Sequence, residues 1–482
     1  MTSNSSDEQN FKQQPLVGAH AQNALDSLGS LRISLAPPVM KAIKQDRAEA
    51  LDAFEDAWTQ YETAIGWRRS EKVKTVTFEP TMRSLALLLL FFVCSQASLP
   101  EESLTAPEII SYYEYPVEII TVETKDGYLL QLHRIPFGKN EDYKKPPSKK
   151  PVVFLQHGLL ASSADWVTNL PNQSAAFLLA DAGFDVWMGN VRGNCYSTGH
   201  RKYSRKDKEY WQFTWDDMAK YDLDAMITAV LNITKRSDLY YIGHSQGTVT
   251  MFGKLASDPA FSSKIRKFFA LAPVGSVGHI RGALGYIGKY LVTELQTLFK
   301  LFGQYEFLPS TFIQKMFARM VCGFHFENPL CENFLFQIGG PESSQFNQTR
   351  LMVYMTHTPA GTSTNNVIHW GQMVRSGKMQ YYDFGCAEEN EKHYGTPNPP
   401  VYNLSTITTP VYLYWSDADW LADTADIKET LLPQLKAEVL KQNNQMKDFN
   451  HFDFIWGLRA ADEIYKPIIE IIKTHEKNRR HF

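Results

Sequence analysis

The chain has 482 residues, of which 44% are hydrophobic and 21% are charged, and its formal net charge is −3. This is the composition of a globular protein with one large domain and an insertion, or with two or three smaller domains. Such a charge balance lacks the basic surface of a nucleic-acid-binding protein, so we expect no nucleic-acid partner.

Residues 1–81 form an extension in which no residue carries recognisable chemistry. After Pro37-Pro38, its apolar residues recur at steps of three and four and predict one amphipathic helix: Leu51, Phe54, Trp58, Tyr61 and Ile65. Two interpretations are open. Either the translated product begins at Met82, which we favour, or the extension belongs to the protein.

Residues 82–97 have the pattern of a secretory signal peptide. Arg83 is followed by the apolar run 85–93 and then by Ser95-Gln96-Ala97, with small residues two apart. Nine apolar residues are too few to span a bilayer, which takes about 20. We therefore expect no transmembrane anchor and a protein that is secreted or lies in the lysosomal lumen. The alternative is that this run forms a buried helix or a short anchor.

Two further patterns bear on a secretory route. Downstream of the signal-like segment, glycosylation sequons occur at four positions: Asn172, Asn232, Asn347 and Asn403. Five cysteines are present, and spacing alone does not determine how they pair. The sequence specifies neither a partner for Cys195 and Cys386 nor an oligomeric state.

From residue 98 the chain alternates strands and helices. Short apolar runs predict strands at 117–124, 128–135, 152–155, 184–188, 239–242, 267–271 and 411–415, with helices at 216–231 and 248–256. Buried strands alternating with helices predict an α/β fold with a mostly parallel sheet covered on both faces. We assign 98–274 and 403–482 to two parts of this core. Residues 275–402 lack a clear strand and predict an inserted cap or lid.

The sharpest motif is Gly243-His244-Ser245-Gln246-Gly247, between a predicted strand and a predicted helix. A serine hydroxyl becomes a nucleophile only when it is exposed beside a base, and a G-x-S-x-G elbow provides that exposure. Ester hydrolysis also needs two backbone N–H groups aimed at the developing oxyanion. We expect these donors at Gln246 and at Leu159, in the loop after an early strand. His157 precedes the serine and is expected to shape that loop.

This fold orders its catalytic residues as serine, acid and histidine. Downstream of Ser245, Asp419 follows the predicted strand 411–415, and His451 precedes the last helical stretch. We expect His451 to act as the general base and Asp419 to orient it. Three other histidines fall inside the insertion and are expected to be structural: His357, His369 and His393. No metal-ligand spacing such as H-E-x-x-H is present, so we expect no metal and no other cofactor.

Several separated motifs resemble the acid lipase family, from about Pro107 to about Lys473: residues 154–162 (FLQHGLLAS), 178–187 (LLADAGFDVW), 243–248 (GHSQGT), 357–363 (HTPAGTS), 419–423 (DWLAD) and 451–457 (HFDFIWG). The resemblance implies an α/β-hydrolase core with a helical cap that cleaves triacylglycerols or sterol esters. It also implies the roles given above for Ser245, Asp419, His451, Leu159 and Gln246.

The resemblance further implies a cap disulfide between Cys322 and Cys331. One departure concerns the acid: the family commonly has a glycine pair before it, whereas this chain has Ser416-Asp417. Asp417 is therefore a competitor for the role of Asp419.

The insertion is dense in leucine and phenylalanine between Tyr286 and Phe326. These residues could line an acyl-chain tunnel, meet a lipid surface, or pack the cap onto the core. We expect a neutral lipid ester, bound at a lipid–water interface, as the substrate. The alternatives are a carboxylesterase or thioesterase on smaller acyl substrates, and a non-catalytic lipid-binding protein on the same fold.

Overall fold

The protein is represented by a computed structural model that describes residues 99–141, 150–291, 305–308 and 335–479. The chain divides into two compact units, Met1–Leu85 and Ala86–Phe482, and every described residue belongs to the second. The expected helix in residues 1–81, the signal-like segment 82–97, and Cys322 and Cys331 lie outside the described residues.

One large sheet organises the described chain. Its strands are β1 (Glu118–Glu123), β2 (Tyr128–Ile135), β3 (Val152–Gln156), β4 (Asp185–Gly189), β5 (Gly199–His200), β6 (Leu239–His244), β7 (Ile265–Leu271), β10 (Val411–Ser416) and β11 (Leu440–Met446), while β8 (Glu306–Phe307) and β9 (Thr362–Ser363) form a separate pair. The order in the large sheet is β1-β2-β4-β3-β6-β7-β10-β11, with β5 beside β2. β1 and β2 are antiparallel to their neighbours, and all strands from β4 to β11 along this order run parallel.

Helices flank this sheet. They are α1 (Ala106–Tyr112), α2 (Ala175–Asp181), α3 (Trp215–Asp217), α4 (Leu223–Thr234), α5 (Gln246–Ser257), α6 (Gly282–Tyr286), α7 (Leu351–His357), α8 (Thr364–Ser376), α9 (Ala387–Tyr394), α10 (Thr424–Asp426), α11 (Asp453–Trp456) and α12 (Lys466–Arg479). Every residue of β3, β4, β6 and β10 is buried. Strands buried along their whole length lie in a sheet covered on both faces. The predicted α/β fold class is confirmed.

Three strand features differ from the sequence interpretation. β5 was not predicted, and it spans only the two residues Gly199 and His200. β11 was not predicted, because its sequence LKQNNQM has neither an apolar run nor regular alternation, and its residues are exposed or half-buried. Pairing with β10 makes it a strand. Within residues 275–402, where no clear strand was expected, β8 and β9 pair over two residues each.

The topology brings the predicted site residues to one edge of the sheet. The carboxyl ends of parallel strands meet at the same edge, which is where ligands bind in open α/β sheets. The loop after β3 carries Leu159, the turn after β6 carries Ser245, the loop after β10 carries Asp419, and the segment after β11 carries His451.

The described residues between β7 and β10 contribute no strand to the large sheet. They contain helices α6 to α9 and the short β8–β9 pair. Across the described portions of the chain, no helix combines the length and the apolar character needed to cross a bilayer.

Candidate active site

Ser245 lies in a tight turn between β6 and α5. Its backbone has φ +52° and ψ −116°, a conformation that non-glycine residues rarely adopt. The strained turn is held because the Ser245 N–H donates to the Leu271 carbonyl at 3.1 Å and its carbonyl accepts from the Thr248 N–H at 2.8 Å. The turn lifts the serine side chain off the end of the strand, as the elbow motif predicts.

The two glycines of the elbow are required because neither position has room for a side chain. A Cβ on Gly247 would lie 2.4 Å from the Gln156 carbonyl oxygen, and one on Gly243 would lie 2.6 Å from the Gly247 carbonyl oxygen. Both obstacles are backbone atoms, which cannot rotate away. Gly158, in the loop after β3, also lies close to the elbow: a Cβ there would be 3.2 Å from the Ser245 Cβ.

Three side chains form a chain of hydrogen bonds at this turn. His451 Nε2 lies 2.8 Å from Ser245 Oγ, and His451 Nδ1 lies 3.0 Å from both carboxylate oxygens of Asp419. A carboxylate only accepts hydrogen bonds, so Nδ1 carries the proton and the Nε2 lone pair faces the serine hydroxyl. This arrangement can remove a proton from Ser245.

The structure places Asp419, and not its competitor Asp417, against the imidazole. Asp419 is fully buried, and its Oδ1 accepts from the backbone N–H groups of Leu421 and Ala422 at 2.8 and 2.9 Å. Asp417 is exposed, and its carboxylate accepts from Thr424 Oγ1 and Gln445 Nε2. The backbone N–H groups orient the Asp419 carboxylate toward His451.

His451 lies in a turn that caps α11. Asn450 Oδ1 accepts from the Asp453 N–H at 3.2 Å, and Asp453 Oδ2 accepts in return from the Asn450 N–H at 2.7 Å. This reciprocal capping fixes the backbone on either side of the histidine. Burial raises the pKa of Asp453 to about 7, so this carboxyl holds its proton far above the usual pH range of an aspartate.

The histidine that precedes the nucleophile also contacts this turn. His244 Nε2 lies 3.0 Å from the His451 carbonyl oxygen, so it donates a hydrogen bond to the backbone of the expected base. Burial, and secondarily the nearby His451, hold the pKa of His244 well below its ordinary value. His244 therefore remains a neutral donor over the physiological pH range.

The residues expected to bind an oxyanion lie beside the serine. Gln246 is the first residue of α5, where backbone N–H groups have no carbonyl partner within the helix. Leu159 directly follows Gly158, the residue packed against Ser245. Both expected donors therefore belong to segments that contact the serine.

His157 shapes the loop that carries Leu159. Its Nδ1 lies 2.8 Å from the Gly158 carbonyl oxygen, and its Nε2 accepts from the Val191 N–H at 3.3 Å. Burial lowers the pKa of His157 to about 4, so the ring is neutral. These contacts are those of a residue that holds the loop in place, as we expected from the sequence.

Two positions from the inserted segment support the acid and base loops, and neither could be identified from the sequence. The Gly339 carbonyl accepts from the backbone N–H groups of both Trp420 and His451, at 3.2 and 3.0 Å. Arg281 Nη2 donates to the carbonyls of Asp417 and Asp419 at 2.9 and 2.8 Å, and its Nε pairs with Asp423 at 2.6 Å. A glycine carbonyl and a half-exposed arginine carry no motif that could have revealed these contacts.

The three histidines of the insertion lie in other environments. His357 Nε2 contacts the Glu101 carbonyl at 2.9 Å, and His369 Nε2 contacts the Gln380 carbonyl at 2.9 Å. His393 stacks on Phe384 with ring centroids 3.7 Å apart. No cluster of three or more His, Cys, Asp or Glu side chains placed to bind a metal occurs among the described residues.

The four sequon asparagines differ in exposure. Asn172, Asn232 and Asn403 are exposed, and Asn347 is half-buried. Asn347 and Asn403 each accept a hydrogen bond at 2.7 Å from the hydroxyl of their own sequon, Thr349 and Ser405. Cys386 is exposed as well.

Comparison with known proteins adds two family matches. A model described as "Partial alpha/beta-hydrolase lipase region" matches residues 106–170, and one described as "alpha/beta hydrolase fold" matches residues 151–458. Together they cover the strands and loops that carry Leu159, Ser245, Asp419 and His451.

Individual relatives are more specific. The chain is 53% identical to the lipase lipl-5 of Caenorhabditis elegans over 375 residues, which cover 77% of this chain and 93% of that protein. It is 42% identical to human gastric triacylglycerol lipase (78% of this chain and 93% of that protein). It is 43% identical to human lysosomal acid lipase/cholesteryl ester hydrolase (78% and 92%).

Proposed function

This chain belongs to the acid lipase family of α/β hydrolases, and from that premise we propose that it hydrolyses the ester bonds of neutral lipids through an acyl-enzyme on Ser245. The observation that carries the proposal is the 2.8 Å contact between His451 Nε2 and Ser245 Oγ, with Asp419 behind the imidazole. A buried Ser–His–Asp chain of this kind is the arrangement that activates a serine for acyl transfer.

In the acylation step, His451 Nε2 takes the proton of Ser245 Oγ as the oxygen attacks the ester carbonyl carbon. The carbonyl π electrons move onto its oxygen, which the N–H groups of Leu159 and Gln246 receive. The tetrahedral intermediate then collapses, the bond to the alcohol oxygen breaks, and the alcohol leaves with the proton from His451. The acyl group remains on Ser245.

In the deacylation step, water replaces the alcohol. His451 takes a proton from the water as its oxygen attacks the acyl carbon, the same N–H groups bind the oxyanion, and the bond to Ser245 Oγ breaks. Ser245 recovers its proton from His451 and a fatty acid is released. Asp419 keeps the imidazole in the required tautomer and stabilises its protonated form throughout.

The substrate class follows from the relatives. Their names specify triacylglycerol lipase and cholesteryl ester hydrolase, and we propose a triacylglycerol or a sterol ester for this chain. The runner-up is a smaller, soluble acyl ester. Rates on emulsified trioleoylglycerol and cholesteryl oleate, compared with a short-chain soluble ester, separate the two classes.

The decisive experiment replaces the nucleophile. Ser245→Ala should lower ester turnover by several orders of magnitude and abolish labelling by a fluorophosphonate probe, with the melting temperature preserved. Ser263→Ala is a matched control, since Ser263 Oγ only contacts the Ala260 carbonyl on the exposed surface. A folded Ser245→Ala protein that still hydrolyses esters at the wild-type rate would contradict the proposal.

We also propose a secretory route, supported by the signal-like segment 82–97 and the sequons at Asn172, Asn232, Asn347 and Asn403. N-terminal sequencing of the secreted protein should begin close to Ser98, and glycosidase treatment should lower its intact mass. A mature protein that retains residues 1–97 and carries no sugar would contradict this route.

A further inference from the structure

The segments expected to bind the oxyanion are both held by one short stretch of the inserted region, residues 360–370. On one side, the buried Gln246 side chain offers its Oε1 to two donors of α8. Asn366 Nδ2 donates at 2.8 Å and Trp370 Nε1 donates at 2.9 Å. Both donors lie on the same helix, one turn apart.

On the other side, the contact is made by the backbone. The Ala360 N–H donates to the Leu160 carbonyl at 2.6 Å. Leu160 directly follows Leu159 and has φ +59°, a conformation unfavourable for leucine, which the contact with Ala360 stabilises. Residues 360–370 thus contact both halves of the expected oxyanion site.

This stretch is itself anchored to the core. Ser363 Oγ donates to the Phe213 carbonyl at 2.6 Å and accepts from the Asn366 N–H at 3.0 Å, which caps the start of α8. Asn366 Nδ2 also contacts Thr362 Oγ1 at 3.1 Å, and Asn366 is fully buried. The two donors therefore reach Gln246 from a fixed position.

We propose that Asn366 and Trp370 are positioning residues for the oxyanion hole, acting through the side chain of Gln246; this inference rests on the proposed function. Without its two donors, the buried Gln246 amide oxygen would lose its hydrogen bonds and the residue would reorient. The Gln246 side chain and the backbone nitrogen whose N–H receives the oxyanion are both bonded to the same Cα. A small displacement of that N–H lowers the rate of the chemical step.

The test compares an oxygen ester with its thionoester, in which C=S replaces C=O, because sulfur accepts hydrogen bonds weakly. Asn366→Leu and Trp370→Phe should each lower kcat on the oxygen ester about tenfold, and together about a hundredfold, with the thionoester rate nearly unchanged. KM should change little, and the melting temperature should fall by a few degrees as buried hydrogen bonds are lost. The ratio of the two rates does not depend on how much of the protein is active.

Two controls carry the same chemical changes elsewhere. Asn365→Leu alters the neighbouring, half-buried asparagine, and Trp211→Phe removes an indole N–H that donates to the Arg205 carbonyl at 2.7 Å. Both should keep the wild-type ratio of ester to thionoester rates. Equal ratios in wild type, Asn366→Leu and Trp370→Phe would overturn the inference.

A double-mutant cycle tests the path through Gln246. In a Gln246→Leu background the acceptor is gone, so adding Trp370→Phe should lower kcat no further. Full additivity of the two changes would overturn the inference. Ser245→Ala, run in parallel, distinguishes failure of this inference from failure of the proposed function. If Ser245→Ala is inactive, the proposed function stands whatever the result of the cycle. If Ser245→Ala is active, both the proposed function and this inference are overturned.

Discussion

The turn that carries Ser245 and the two loops that carry Asp419 and His451 are held in place by different kinds of contact. Ser245 is fixed by its immediate neighbours: Gly243 and Gly247 allow close backbone contact, and β6 and α5 continue on either side. Asp419 and His451 lie in loops that have local hydrogen bonds of their own and are also held by distant residues. The Gly339 carbonyl binds both loops, and Arg281 binds the acid loop.

The difference shows where the inserted region matters for chemistry. The elbow backbone is held by the sheet and by the helix that follows it, while the insertion binds the side chain of Gln246. The acid and base loops depend on residues 80 or more positions away, which belong to the insertion. Substitutions at the elbow should therefore act through backbone clashes, and substitutions at the loops should act through lost hydrogen bonds.

The largest effect is expected on the acid loop itself. Asp419→Asn should lower kcat/KM about 10³- to 10⁴-fold, because an amide no longer holds the His451 tautomer with a free Nε2 lone pair. Asp417→Asn is the matched control and should stay close to wild type, since Asp417 contacts Thr424 and Gln445 instead. Rates on a soluble ester decide the matter. A large loss in Asp417→Asn and none in Asp419→Asn would reverse the assignment.

At the elbow, Gly247→Ala should lower activity by about a hundredfold and the free energy of unfolding by about 1–3 kcal/mol or more. The new Cβ would lie 2.4 Å from the Gln156 carbonyl oxygen, a backbone atom of β3. Gly253→Ala lies on the same helix and meets its nearest atom, in the Trp215 ring, at 3.2 Å. Urea unfolding and ester turnover of the two variants should differ sharply, and similar values would show that the elbow tolerates a side chain.

A smaller effect is expected from Arg281→Met, about tenfold in kcat, because the acid loop loses the two hydrogen bonds of Arg281 Nη2 while Asp419 keeps its own. Arg281→Lys should recover only part of this loss, since an ammonium lacks the planar fork. Arg479→Met, at a similarly exposed arginine on α12, should leave kcat unchanged. An Arg281→Met enzyme with wild-type kcat would show that the loop holds its position unaided.

The smallest expected effect is a pH dependence of the free energy of unfolding, which has opposite signs for Asp453 in the His451 turn and for His157 in the loop that carries Leu159. Asp453, in the His451 turn, has its pKa raised to about 7 by burial. Because the folded state then holds a proton that the unfolded state releases near pH 4, the stability contributed by Asp453 is present at low pH and is lost as the pH rises toward 7. Each pH unit in this interval changes it by on the order of 1 kcal/mol.

The measurement compares variants, because buried histidines act in the opposite direction. His157 at the oxyanion loop has its pKa lowered to about 4, so its contribution is lost as the pH falls below its unfolded value. Chemical unfolding of wild type and Asp453→Asn at pH 5 and at pH 8 isolates the carboxyl. The variant should gain stability relative to wild type at the higher pH, and a constant difference would contradict the assignment.

Much of the fold could be predicted from the sequence. Buried parallel strands are short apolar runs, so β2 was predicted with its observed bounds, and β3, β6 and β10 to within two residues. The fold class and the family resemblance are confirmed. β11 could not be predicted, because a polar strand exists only through pairing with β10 and leaves no periodicity in the sequence.

The residues of the candidate site were likewise predicted only in part. Ser245, Asp419 and His451 were identified from motifs and chain order, and the structure brings their side chains together, although their catalytic roles remain predictions. Gly339, Arg281 and Asn366 could not be identified. A carbonyl oxygen belongs to every residue, and neither a guanidinium nor an amide reveals its partner until distant segments are folded together.

The position of β11 has a consequence for how the enzyme stops working. In the described sheet β11 is the terminal strand, hydrogen-bonded only to β10, and the segment leading from it carries His451. Terminal strands detach at a lower free energy than central ones. Warming should therefore pull the base away from the serine while β3, β6 and β7 are still assembled, so heat inactivation would precede melting of the protein.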